Sequence, residues 1–158
     1  MQSEAASDLY QRIVAQMPEA VILADRDGRI RLWNRGAEVV FGHPAAEVMG
    51  KNLDIIIPDD LRQRHWEGYH RAMSAGHTRM GDRALPTRAV RKDGQNIYVE
   101  LSFAIVQGET GETIGALAVG RNITERYTRD KAMRRRLATL EQDVAARASR
   151  AGSGEEPE

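Results

Sequence analysis

The chain has 158 residues, 41% of them hydrophobic, which suits one domain with an ordinary core and tails. Lys+Arg and Asp+Glu are both 23, so no overall field draws the chain to nucleic acid or to an anionic membrane. Cysteine is absent, which removes disulfides, thiolate metal sites, thiol nucleophiles and photochemistry that bonds a flavin to a thiol.

No apolar run reaches membrane-span length, and MQSEAASDLY has no signal-peptide core, so a cytoplasmic location is expected. Ser7 and Asp8 predict the cap of an amphipathic helix with Leu9, Ile13, Val14 and Met17 on its apolar side, ended by Pro18. AVILAD (20–25) reads as a strand and RDG (26–28) as a turn. RIRLWN (29–34) returns as the second strand of a hairpin, with Ile30 and Leu32 on one face and Trp33 on the other. Asn34 is placed to cap a short helix that Gly42 stops, and a further helical turn runs from His43 to Val48.

Pro58, Asp59 and Asp60 mark the start of a longer helix, because proline suits the first turn and carboxylates favour the positive end of the macrodipole. Helical steps from Leu61 reach His65, Gly68, Tyr69, Ala72 and Met73. A histidine flanked by small residues on an inward face leaves room for something flat. It is either a core histidine satisfied by backbone or water, or an axial ligand to heme iron.

Three strands follow. The first covers about 83–91 and ends at the KDG turn (92–94); the second covers 95–107, with Ile97, Val99, Leu101, Phe103 and Ile105 facing one way. The third covers 113–124, where Gly115 and Gly120 permit close approach or a bulge. From Thr124 the period turns helical. Met133, Leu137, Leu140 and Val144 fall at coiled-coil spacing, flanked by Asp130 and Arg134 to Arg136, and SRAGSGEEPE has the composition of a disordered tail.

His43, His70 and His77 read as surface residues, and no histidine pair has metal-site spacing with carboxylate support. GETGETIG lacks the lysine of a phosphate loop, and Arg134 to Arg136 read as a solvated face. No ATP site, phosphoacceptor helix, cyclase motif or DNA-reading helix is present in the sequence, so the chain is not expected to be an enzyme.

The segments RIRLWNRGAEVVFGHPAAEVMGKNL (29–53), VRKDGQNIYVELS (90–102) and GRNITER (120–126) resemble the PAS family in order and spacing. The resemblance implies an α+β fold: a five-stranded antiparallel sheet with helices on one face, here with an N-terminal helix (1–17), a sensor domain (18–124), a signalling helix (125–148) and a disordered tail (149–158). Within the family, KNLDIIIPDDLRQRH (51–65) resembles the helix of heme-binding oxygen sensors, which implies heme b with His65 as its iron ligand. Leu61, Gly68, Tyr69, Ala72, Leu101, Phe103, Leu117 and Val119 are the pocket residues that this implies.

Those sensors carry a distal arginine on the strand before KDG. The corresponding place here holds Leu85, with Arg83 one pleat earlier. A distal Arg83 suits bound oxygen; a distal Leu85 suits carbon monoxide or nitric oxide. The partners implied are a second copy of the chain and a downstream signalling protein reached through the C-terminal helix. The alternatives are flavin or another small ligand in the same cleft, or a cofactor-free dimerisation module.

Overall fold

The computed structural model describes residues 2–81 and 83–152. Helix α1 (Gln2–Gln16) leads into β1 (Ala20–Asp25) and β2 (Ile30–Trp33), followed by α2 (Arg35–Phe41) and α3 (Ala45–Val48). Two 3-10 turns at Leu53–Ile56 and Asp59–Leu61 precede α4 (Arg62–Ala75). Strands β3 (Leu85–Val90), β4 (Asn96–Gln107) and β5 (Thr113–Asn122) complete an antiparallel sheet of order β2-β1-β5-β4-β3. Helix α5 (Thr124–Gly152) forms a separate unit, the first unit ending at Ile123.

One polar side chain organises the first half of the sheet. Buried Asn34 accepts from Val21 N at 2.8 Å and from Ala37 N at 2.9 Å, fixing the start of β1 and capping α2. Its amide donates to Val14 O at 3.0 Å and to Glu19 O at 2.9 Å, which ties the end of α1 to the same point. Gly42 closes α2 in the left-handed region (φ 76), its N–H donating to Glu38 O. Phe41 and Ile30 are fully buried here, each contributing about 2–3 kcal/mol by exclusion from water.

The inner sheet face follows from register. Ala116 pairs with Ala24 and with Ile105, Ala118 with Ile22 and with Phe103, and these side chains pack on the core. In β2 the expected sides are corrected: Ile30 and Trp33 are both buried, while Leu32 is half-buried. The register shifts between Leu23 and Ala24, so one extra residue on β2 reverses the alternation before Trp33.

Helix α1 starts ahead of its expected cap, and α5 runs past its expected end at 148. Residues before the expected Ser7–Asp8 cap are already helical, and Asp8 instead pairs with Arg12 at 2.7 Å one turn on. Helix α5 continues from 148 through Gly152, because Ala145, Ala146, Ala148 and Ala151 favour helix and Ser149 bonds back to Ala145 O. The rest of the expected tail, 153–158, lies outside the described residues. Among the described residues, no helix is long and apolar enough to cross a membrane.

Candidate functional site

Helix α4 is held by two aromatic side chains, Trp66 and Tyr69. Trp66 donates from Nε1 to Asp54 Oδ1 at 2.7 Å and lays its ring on the β1–β2 turn. A Cβ at Gly28 would stand 2.2 Å from that ring, and Gly28 also has φ 74, so the turn requires glycine twice over. Tyr69 donates to the carbonyls of Ala24 at 3.2 Å and Asp25 at 2.5 Å. Burial, reinforced by the Asp25 carboxylate, pushes its phenol up to about 12, so it remains a donor at physiological pH.

The turn itself is braced by Asp25. Burial works against its carboxylate, but N–H donors from Arg29 and Asp27 and the Arg31 guanidinium at 2.7 Å together hold its pKa below the usual range. The fully buried face of α4 is therefore Tyr69 and Met73, with Trp66 packed beside them. His65, Gly68, Ala72 and Leu61 form a half-buried flank rather than the centre of that face.

His65 stands on this flank with its ring edge-on to Trp66 at 4.8 Å and tilted against Tyr69 at 5.8 Å. Its Nδ1 is buried without a hydrogen-bond partner. Burial lowers the pKa below its ordinary 6.5, opposed by the Asp54 carboxylate and assisted by His70. The imidazole is neutral at pH 7 and keeps a lone pair for coordination. Apart from its chain neighbours and the backbone of its own helix, nothing comes within 4 Å of the place a Cβ would occupy at Gly68, one turn along. A neutral imidazole with a nitrogen left without a hydrogen-bond partner is a ligand type that fits a heme iron.

The sheet divides the remaining expected residues. Leu101 is buried on the inner face and Phe103 packs on the core beside it. Leu85 pairs with Leu101 at the sheet edge and is 39% exposed. Arg83 lies before β3, exposed, its N–H bonded to Met80 O at 3.3 Å. Leu117 and Val119 have the parity opposite to Ala116 and Ala118, so they belong to the outer face, away from His65. A cavity of about 270 Å³ touches Phe103, Leu117 and Val119 but no residue of α4. Gly115 and Gly120 are approached by backbone, the Ala24 and Glu100 carbonyls, and leave no space for a ring.

His43 is half-buried, with Nε2 enclosed and unpartnered, contrary to its expected surface position. Gly42 in the left-handed region turns it beneath Trp33, whose ring lies edge-on at 6.5 Å. His70 and His77 are exposed. Among the described residues no group of three or more His, Asp or Glu is placed to hold a metal ion. Sequence reasoning passed over Trp66 and Asp54; their link to Gly28 is tertiary and leaves no local pattern.

The model of the PAS fold matches residues 8–123, and the chain belongs to the PAS family. It is 27% identical over 105 residues to the oxygen sensor protein DosP of Escherichia coli, covering 66% of this chain and 13% of that protein. It is 32% identical over 97 residues to the sensor protein FixL of Bradyrhizobium diazoefficiens, covering 60% of this chain and 19% of that one. The chain thus spans less than a fifth of either relative. An RNA-binding Light-Oxygen-Voltage receptor shares the fold at 22% identity and a TM-score of 0.69, over 90% of this chain and 40% of that structure. PAS domains are sensory modules, and nothing among the described residues points to an enzymatic centre.

Proposed function

We propose that this PAS domain holds heme b through His65 and senses a diatomic gas or redox state. The observation that carries this reading is the buried, unpartnered Nδ1 of a neutral His65 on the flank of α4. The similarity to DosP, named an oxygen sensor, supports a gas as the signal. When bound, heme supplies an iron centre able to take a diatomic ligand or change oxidation state.

The chain's own residues do the rest. Leu61, Gly68 and Ala72 shape the flank around His65, and Leu101 and Phe103 exclude water from the sheet side. Exposed Arg83 is poorly placed as a distal donor. Leu85, opposite Leu101, makes that side apolar, which favours carbon monoxide or nitric oxide over a polar oxygen adduct. Movement of α4 is passed through Tyr69 to Ala24 and Asp25, whose β5 partners Ala116 and Gly115 lead in sequence toward α5.

Output then proceeds through dimerisation of α5 with a second copy, because Met133, Leu137, Leu140 and Val144 are all at least half exposed at coiled-coil spacing. Reconstitution with hemin tests the cofactor. A red protein whose Soret band shifts under carbon monoxide supports heme. A yellow protein as purified points to flavin in the same cleft, and one that stays colourless after hemin points to another ligand or none.

A further inference from the structure

Helix α5 has a charge pattern that bears on how it pairs. Every residue from Thr128 to Gly152 is exposed, and the seam Met133, Leu137, Leu140, Val144 keeps a three–four rhythm. Extending that rhythm by one step at each end reaches Asp130 before the seam and Arg147 after it. The rows flanking the seam divide in the same way, with Arg134 and Arg136 toward the N-terminus and Glu141 and Asp143 toward the C-terminus. Acid and base exchange places between the seam's ends and between the halves of its flanks.

We propose that α5 pairs antiparallel with α5 of a second copy of this chain, Leu137 lying opposite the partner's Leu140. This rests on the dimer reading above and adds its direction. In that register Met133 meets the partner's Val144, and Asp130 meets the partner's Arg147 within the seam. Arg136 lies beside the partner's Asp143, and Arg134 beside the partner's Glu141. Twofold symmetry repeats each of these three opposite-charge pairs, against one repeated like-charge pair, Arg129 with the partner's Arg150.

The parallel register is worse on the same residues. It sets Asp130 against the partner's Asp130 and Arg147 against the partner's Arg147 inside the seam, where removal from water makes repulsion strongest. Arg129 also meets the partner's Arg134, and only Arg136 with the partner's Glu141 is favourable. Choosing direction by making the alternative repulsive is a familiar device in helix pairing. The antiparallel pair holds the two Thr124 ends at opposite ends of the rod. Ligand state is then read as a change in affinity between copies rather than as a twist handed to a shared C-terminal output.

The absence of cysteine makes the test clean, since Ser149→Cys or Thr139→Cys creates a single thiol for a nitroxide label. Position 149 lies 10.5 residues beyond the antiparallel midpoint, so the two labels stand about 32 Å apart along the axis at the helical rise. In a parallel pair they are level, within about 20 Å, two helix diameters. Thr139 labels are close in both arrangements and report pairing itself. A short Thr139 distance with a long Ser149 distance supports the proposal. Two short distances overturn the direction and leave the dimer. Sedimentation as a monomer, or no measurable Thr139 distance, removes the α5 dimer and the direction with it. Asp130→Arg should weaken dimerisation about tenfold, and adding Arg147→Asp should restore it, from pairs of ordinary surface strength. In a parallel pair Asp130→Arg merely replaces one like pair by another, so an unchanged dissociation constant also overturns the proposal.

Discussion

Asn34 and His65 are both polar side chains set against the core, and their surroundings treat them in opposite ways. Asn34 is 5% exposed and fully engaged: its oxygen accepts two backbone N–H groups and its amide donates to carbonyls at the end of α1 and the start of β1. His65 keeps a buried Nδ1 with no partner, on a flank with open space at Gly68. Desolvating a polar atom without a bond costs roughly 1–3 kcal/mol, so the α4 flank carries a cost that the α1–β1–α2 junction avoids. The satisfied group is architecture. The unsatisfied one is the group to which the proposed function assigns the heme.

The widest separation between the two regions should come from Asn34→Ala, which loses a cap and strands several buried backbone groups. A loss of about 3 kcal/mol in urea unfolding is expected. A loss under about 1 kcal/mol would mean that the junction is not the keystone described here. Next is Gly28→Ala, which forces φ 74 on an L-residue and drives a methyl into the Trp66 ring. About 2 kcal/mol should be lost, with a red-shifted Trp66 emission as α4 lifts from the turn. Unchanged emission would dissociate Trp66 from that turn.

His65→Leu should behave unlike either. Removing an unpartnered buried nitrogen makes the change neutral, or stabilising by up to about 1 kcal/mol, on the unfolding curve. A loss above about 2 kcal/mol would show that His65 is a structural residue with a partner of its own.

The smallest effect is in the pH profile. Burial is the main influence on each and lowers the folded-state pKa of both His65 and His43 below the ordinary 6.5. At His43 the cations Lys92 and Lys51 add to this, and Glu47 and the Ile55 carbonyl oppose it. Below about 6.5 the unfolded chain binds protons that the native one does not, so stability is full above that pH and falls as the solution is acidified toward the folded-state values. His65→Leu should flatten part of that acid limb and leave the part due to His43. An unaltered limb would remove His65 from the titration.

The sheet was legible in the sequence because period-two alternation and the turns at RDG and KDG are local signals; β4, expected over 95–107, forms at Asn96–Gln107. What the sequence hid depends on partners. Trp33 turns inward because of a bulge seen only once β1 and β2 are paired. Strand β5 is apolar on both faces, so alternation alone could not tell that Ala116 and Ala118 face the core while Leu117 and Val119 face away. Helical spacing put His65 on the inward face of α4, whereas the structure buries Tyr69 and Met73 there and leaves His65 on a half-buried flank. Its orphaned nitrogen and the Trp66–Gly28 contact were not legible, since both depend on how α4 meets a turn some forty residues earlier in the chain.

The central claim is that His65 is the group that holds heme, and a hemin titration followed at the Soret band tests it most directly. Wild-type protein, His70→Ala and His77→Ala should each saturate at one heme per chain. His65→Ala should show no specific band while keeping the wild-type far-ultraviolet circular dichroism. Equal, saturable binding by His65→Ala, or no Soret band in the wild-type protein after reconstitution, would contradict the account.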